Sequence, residues 1–280
     1  MSETSFESLL KTGELLVLPG VYDALCARIA AKAGARALYM TGFGVVGASW
    51  GVPDIGLIGP EAMSERVRAI ASAAAPTPVI ADGDNGHGGP ANVARLVLAY
   101  EQAGASAIQL EDQSMPKRCG HMEGKEIVPT ADAAAKIAAA REARRSRSFK
   151  IVARTDARSV EGLDEALRRG EAFLKAGADI LFIEAPQSEE ELRAIARAFA
   201  GTPLVANMVE DGKTPWVSQA TLAEMGYRIV LYPITALLAA ARRLDDVYAA
   251  VVSGRAETVT ERMRFSEYNQ VVGLKDPAAN

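Results

Sequence analysis

The stretches "AGARALYM" (33–40), "AGASAIQL" (103–110) and "AGADILFI" (176–183) repeat one pattern, and "MGYRIVLY" (225–232) repeats it more loosely. Each reads as a helix end stopped by glycine, a short link, then an apolar strand. Further apolar runs lie at "ELLVLPG" (14–20), "TPVIADGD" (77–84), "FKIVARTD" (149–156) and "TPLVANMVE" (202–210), the last three after alanine-rich segments of helical period. Together they make eight strand candidates alternating with helices. Their near-continuous hydrophobicity suits parallel strands buried on both faces. With no break in composition and no linker, the chain is expected to form one closed (β/α)₈ TIM-type barrel over residues 1–280 rather than an open doubly wound sheet. The segment "ETVTERMRFSEYNQVVGL" (257–274) follows the eighth barrel helix and has no strand to cover. Residues 255–280 are therefore expected to pack on the barrel exterior or on a neighbouring subunit.

The composition, 49% hydrophobic and 24% charged, is that of an ordinary globular protein. A formal charge of −4 gives no general electrostatic reason to bind nucleic acid or an anionic membrane. The basic run "REARRSRSFK" (141–150) reads as a solvated helix end. The N-terminus lacks a signal-peptide pattern and no apolar run is long enough to span a bilayer, so a cytoplasmic location is expected. Two cysteines are too few for a disulfide framework; Cys26 reads as core.

In such a barrel the functional groups follow the strands. Here they are Thr41, Asp82, Asp84, Glu111, Asp112, Arg154, Asp156, Glu184, Asn207 and Glu210. Crowded carboxylates repel one another unless a cation intervenes, and oxygen donors favour Mg²⁺ or Mn²⁺ over Zn²⁺. Asp112 and Asp156 read equally well as helix caps or salt-bridge partners. Arg154 suits two-point capture of a carboxylate or phosphate, or an ion pair with Glu184. A metal beside an arginine implies a small anionic substrate.

The segment "KRCGHMEGKE" (117–126) follows the fourth strand and reads as a mobile lid. Lys117, Arg118, His121 and Lys125 surround Cys119 in sequence and favour its thiolate. A reactive cysteine placed there points to chemistry.

"KRCGH" with "GKE" after it, "DGDNGHGG" (82–89), "QLEDQ" (109–113), "ARTDA" (153–157), "FIEAP" (182–186) and "LYPITAL" (231–237), in this order, resemble the isocitrate lyase and phosphoenolpyruvate mutase superfamily. The likeness is greatest to its short methylisocitrate lyase-like and 2,3-dimethylmalate lyase-like members. That resemblance implies a homotetramer, a dimer of dimers built by swapping the C-terminal helix, with Mg²⁺ at the barrel mouth. It makes Asp84 the direct metal ligand, with Asp82 and Glu111 holding metal-bound water. It places Arg154, Asn207, Thr41, Gly42, Phe43, Gly120 and Glu184 at the substrate and Tyr39 at its hydroxyl. Lys117, Arg118 and His121 accompany Cys119, the general acid on the lid. The activity implied is cleavage of a 2-hydroxy di- or tricarboxylate into a 2-oxo acid, pyruvate or glyoxylate, and a carboxylic acid. Oxaloacetate hydrolysis to oxalate and acetate is the alternative; phosphonomutase and oxaloacetate decarboxylase fit less well because such members typically lack the cysteine. Thr41 stands where serine is usual in the family, Phe43 where a small residue is usual and His87 where an aromatic one is common; Phe43 and His87 reshape the expected pocket, so a C4 to C6 dicarboxylate is expected to fit at least as well as 2-methylisocitrate.

Overall fold

The computed structural model describes residues 5–118, 120 and 124–274. Cys119 and His121, singled out from the sequence, lie outside the described residues.

Strands β1 (Leu16–Val21), β2 (Leu38–Met40), β3 (Val79–Asp82), β4 (Ala107–Glu111), β5 (Lys150–Thr155), β6 (Ile180–Ile183), β7 (Leu204–Asn207) and β8 (Ile229–Tyr232) pair in parallel in chain order. β8 returns to β1, with Leu16 opposite Ile229, and closes the barrel. The repeat read from the sequence is thus a βα unit, and each link turns on its glycine: Gly34, Gly104, Gly177 and Gly226 all take positive φ. The helices are α1 (Phe6–Lys11), α2 (Ala24–Lys32), α3 (Gly42–Trp50), α4 (Pro60–Ala74), α5 (Pro90–Gln102), α6 (Thr130–Ala143), α7 (Ala157–Val160), α8 (Leu163–Ala176), α9 (Glu189–Ala198), α10 (Gln219–Met225), α11 (Thr235–Val252) and α12 (Phe265–Val271).

Alternation along each strand divides the core in two. Leu16, Leu18, Tyr39, Ile80, Ala107, Val152, Ile180, Phe182, Val205, Ile229 and Leu231 form one cluster, inside the barrel. Phe6 and Leu9 of α1 join it and stop the barrel at its N-terminal end. The intervening residues, such as Leu38, Met40, Ile108, Ile151 and Leu181, belong to the second cluster, between barrel and helices.

The same parity carries past the strand ends. Tyr39 leads to Thr41, Ile80 to Asp82, Ala107 to Gln109 and Glu111, Val152 to Arg154, Phe182 to Glu184, and Val205 to Asn207. Polar residues at the C-terminal ends therefore share the inward direction of the barrel core.

Cys26 differs from its sequence reading. It is half-buried at the start of α2, where its Sγ accepts the Tyr22 and Asp23 N–H groups at 3.0 and 3.2 Å. It caps the helix as much as it packs, and burial pushes its thiol up to about 12. Beyond α11 the chain turns back, and α12 packs against α2 through the buried Val271.

Candidate active site

The barrel mouth holds a cavity of about 90 Å³. It is lined by Tyr39, Thr41, Asp54, Asp82, Glu111, Lys117, Arg118, Gly120, Arg154, Glu184 and Asn207 together with the apolar Phe43, Val209, Pro233 and Ile234. All the described residues expected at the substrate from the sequence border it except Gly42; Asp84, expected as the metal ligand, does not line it and lies 2.6 Å from Lys117 Nζ. Asp54 was not foreseen: it sits in the loop between α3 and α4, with no strand before it to announce it.

Asp82 is the hub of the β3 end. Its Oδ1 accepts from Asp84 N–H at 3.1 Å and Gln109 Nε2 at 3.4 Å, and its Oδ2 from Gly42 N–H at 3.3 Å. Gly42 must be glycine here, since a Cβ would stand 2.7 Å from Asp82 Oδ2. Burial, then the neighbouring Asp84, pushes the Asp82 carboxyl up to about 6. Asp84 and His87 take positive φ in the following turn, a conformation Asp and His adopt more readily than bulky residues do. His87 Nε2 lies 3.8 Å from Asp84 Oδ2.

Glu111 is held well above the usual carboxylate range by burial, although Arg154 opposes the shift. Its Oε1 is buried with no hydrogen-bond partner among the described residues. Asp84 Oδ1 lacks a well-directed hydrogen bond too, although Lys117 Nζ stands 2.6 Å away.

Lys117 Nζ also lies 2.7 and 2.8 Å from the two oxygens of Asp54. Burial alone would lower the pKa of this ammonium, but Asp84, Glu111, Asp54 and Asp82 outweigh it and hold it well above the usual lysine value. No three acidic, histidine or cysteine side chains form a ready metal cage among the described residues. The donor chemistry nonetheless fits a hard divalent cation: the carboxylates of Asp54, Asp82 and Glu111 line one cavity with Asp84 nearby, and the buried Glu111 Oε1 has no partner among the described residues. Asp84, Asp82 and Glu111 would hold it, with Asp54 beside them.

Arg154 is fully enclosed. Its Nε and Nη2 donate to Asp156 Oδ2 and Oδ1 at 3.0 and 3.1 Å, Nη1 lies 3.2 Å from Glu184 Oε2, and the guanidinium stacks on Phe182. Asn207 donates through Nδ2 to Glu184 Oε2 at 3.2 Å, while its buried Oδ1 has no partner among the described residues. Thr41 caps α3 by accepting the Gly44 N–H at 3.3 Å.

The described part of the loop after β4 is seated on this mouth. Gln113 forms a bridge with Ile127, and its side-chain amide binds both the N–H and the C=O of Arg118, each at 2.9 Å. Lys125 reaches Asp156 at 2.7 Å and the carbonyl of Gly120. Asp112 and Asp156 prove to be support: Asp112 accepts from Thr155 Oγ1 at 2.7 Å, Asp156 N–H at 2.9 Å and the buried Arg169 at 3.1 Å. Arg169 also donates to Val128 O at 2.8 Å, tying the loop's far end to α8.

The model of the phosphoenolpyruvate phosphomutase family matches residues 6–252. The chain is 45% identical over 269 residues to 2,3-dimethylmalate lyase of Eubacterium barkeri, covering 95% of this chain and 92% of that one. It is 42% identical to 2-methylisocitrate lyase of Bacillus subtilis (strain 168), over 87% of this chain and 79% of the other. The solved structure of an oxaloacetate acetylhydrolase with 3,3-difluorooxalacetate superposes with a TM-score of 0.91 at 34% identity, over 97% and 93% of the two chains. The chain belongs to the phosphoenolpyruvate phosphomutase family, and so to the isocitrate lyase/PEP mutase superfamily of enzymes.

Proposed function

We propose that the protein is a Mg²⁺-dependent carbon–carbon lyase that cleaves a small alkyl-substituted 2-hydroxy dicarboxylate into a 2-oxo acid and a carboxylic acid. One observation carries the reading. One small cavity is lined both by oxygen donors with Arg154 and by Phe43, Val209, Pro233 and Ile234. The polar residues suit a carboxylate beside a hydroxyl; the apolar ones give an alkyl branch somewhere to lie. Four apolar lining residues suit an alkyl branch better than the third carboxylate of a tricarboxylate. That agrees with the likeness to the 2,3-dimethylmalate lyase of E. barkeri.

Bound Mg²⁺ would supply Lewis acidity, making the substrate hydroxyl easier to deprotonate. The chain's own groups do the rest. Arg154 has five N–H groups, and those not engaged by Asp156 and Glu184 remain for a substrate carboxylate. Asn207 Oδ1 offers an acceptor at the same cavity. Lys117 neutralises Asp54 and Asp84 while the loop is seated. Loss of the hydroxyl proton drives cleavage, and the departing fragment leaves as an enediolate that needs a proton. Cys119, assigned from the sequence, is the acid we expect to give it; Arg118 and Gly120, on either side of it in sequence, both line the cavity.

The test is release of 2-oxo acid, with and without EDTA, from 2,3-dimethylmalate, other 2-alkylmalates, 2-methylisocitrate and isocitrate. Oxaloacetate is assayed in parallel for oxalate. EDTA-sensitive pyruvate from an alkylmalate is the expected result, lost in Cys119→Ser with product binding retained. Oxalate and acetate from oxaloacetate alone would make the enzyme a hydrolase and refute the lyase.

A further inference from the structure

Gln109 is a polar side chain set in the middle of an apolar strand. It lies on the inward side of β4, between Ala107 and Glu111, and is 1% exposed. Burying an amide at a barrel centre is costly unless each end is satisfied. Here each end is: Nε2 faces Asp82 Oδ1 at 3.4 Å, and Oε1 faces the Tyr39 hydroxyl at 3.1 Å.

The direction of this chain of hydrogen bonds is fixed from the Asp82 end. A carboxylate oxygen accepts, and Asp82 Oδ1 already takes the backbone N–H of Asp84. The amide must therefore turn its nitrogen to Asp82 and its oxygen to Tyr39. An amide oxygen cannot donate, so the phenolic proton of Tyr39 is spent on Gln109. Tyr39 borders the cavity, and what its oxygen has left to offer a ligand is a lone pair.

We propose that Gln109 is a positioning residue that holds Tyr39 as a hydrogen-bond acceptor toward the cavity, so that the site selects ligands carrying a hydroxyl over their oxo counterparts. A 2-hydroxy acid donates its hydroxyl proton to Tyr39; a 2-oxo acid places a lone pair against a lone pair. The proposal rests on the lyase reading for its meaning in turnover, since it favours substrate over the 2-oxo acid product, but it is read in binding alone.

The experiment measures dissociation constants for malate and oxaloacetate, with Mg²⁺, by calorimetry. The proteins are wild type, Tyr39→Phe, Gln109→Met, the double variant, and Gln109→Glu, which keeps an acceptor for Tyr39 but removes the donor to Asp82. Wild type should prefer malate, and Tyr39→Phe and Gln109→Met should each reduce the malate-to-oxaloacetate preference about tenfold, the worth of one hydrogen bond. The double variant should lose no more than either single one, and Gln109→Glu should retain the preference. A preference untouched by Gln109→Met, or losses that multiply in the double variant, would overturn the positioning role. A wild type that binds oxaloacetate as well as malate, or binds neither, would overturn the selection itself. Should Gln109→Met fail to fold, Gln109→Leu takes its place, with the same loss expected and the same untouched preference overturning the positioning role. Absence of turnover on the alkylmalates would sink the lyase reading separately, because it leaves the binding ratio and its dependence on Gln109 to be measured.

Discussion

At the scale of single residues the site is built on tolerances of a few tenths of an ångström. A Cβ on Gly120 would overlap Arg154 Nη2 and stand 2.8 Å from Glu184 Oε2, so only glycine lets the loop lie this close. Gly120→Ala should lower kcat/KM about 100-fold by lifting the loop, with little change in Tm; kinetics paired with thermal melts check this, and unaltered kcat/KM would mean the loop turns over in another position. Asp82 and Glu111, both held above the ordinary carboxylate range, set the acid limit together. The folded pKa of Asp82, about 6, lies above the ordinary 3.8, so the protonated form persists to higher pH in the folded protein. A proton there competes with a cation. Mg²⁺ affinity should accordingly be complete well above pH 6 and fall toward tenfold per unit below it, as calorimetry across pH 5–8 would read. Affinity flat through that window would show that Asp82 takes no part in holding the ion.

Among elements, the decisive joint is where β4, β5, α8 and the loop after β4 meet. Asp112, the residue after β4, orients the start of α7 through Asp156 N–H and is paired with Arg169 from α8. Asp156 in turn grips Arg154 and Lys125, so the substrate arginine and the loop lysine share one buried carboxylate. Arg154 and Lys125 outweigh burial and keep that carboxyl below the usual aspartate value. Arg169→Met would leave Asp112 buried without its counter-ion. Loss of one partner of such a pair costs about 3–5 kcal/mol, visible as a lower urea midpoint. A midpoint unmoved by the substitution would show that water replaces the arginine, and the joint would then be less rigid than its contacts indicate.

For the whole molecule, the barrel accounts for the burial of α1 to α10 but not of the C-terminal elements. No residue of α11 is buried, and Leu244, Tyr248 and Val251 form a stripe at helical spacing on it. Val252 is 86% exposed and Phe265 82%. Apolar surface of this extent marks an interaction site, and we expect another copy of the chain to cover it. Sedimentation should therefore find a species larger than the 29.6 kDa chain, and Val252→Asp with Phe265→Asp should shift it toward the monomer. A wild-type monomer at micromolar concentration would refute that assembly. Among the described residues, no helix is long and apolar enough to cross a membrane.

The sequence by itself determined the barrel and most of its mouth. Glycine-stopped helices ahead of doubly buried strands leave few other closures, and period-two alternation sends Thr41, Asp82, Glu111, Arg154, Glu184 and Asn207 the same way as the core residues before them. What tertiary structure alone decided involves partners remote in sequence. Asp54 carries no strand signal and becomes part of the site only because Lys117, 63 residues later, closes over it. Gln109 looked like one more residue of an apolar run until Tyr39, 70 residues earlier, came within hydrogen-bond reach. For Asp112 and Asp156 the sequence left a supporting role open, and only the fold named the partners, Arg169 for the one and Arg154 with Lys125 for the other. Local pattern sets which way a side chain points; what it meets there depends on closure of the barrel, which no local stretch encodes.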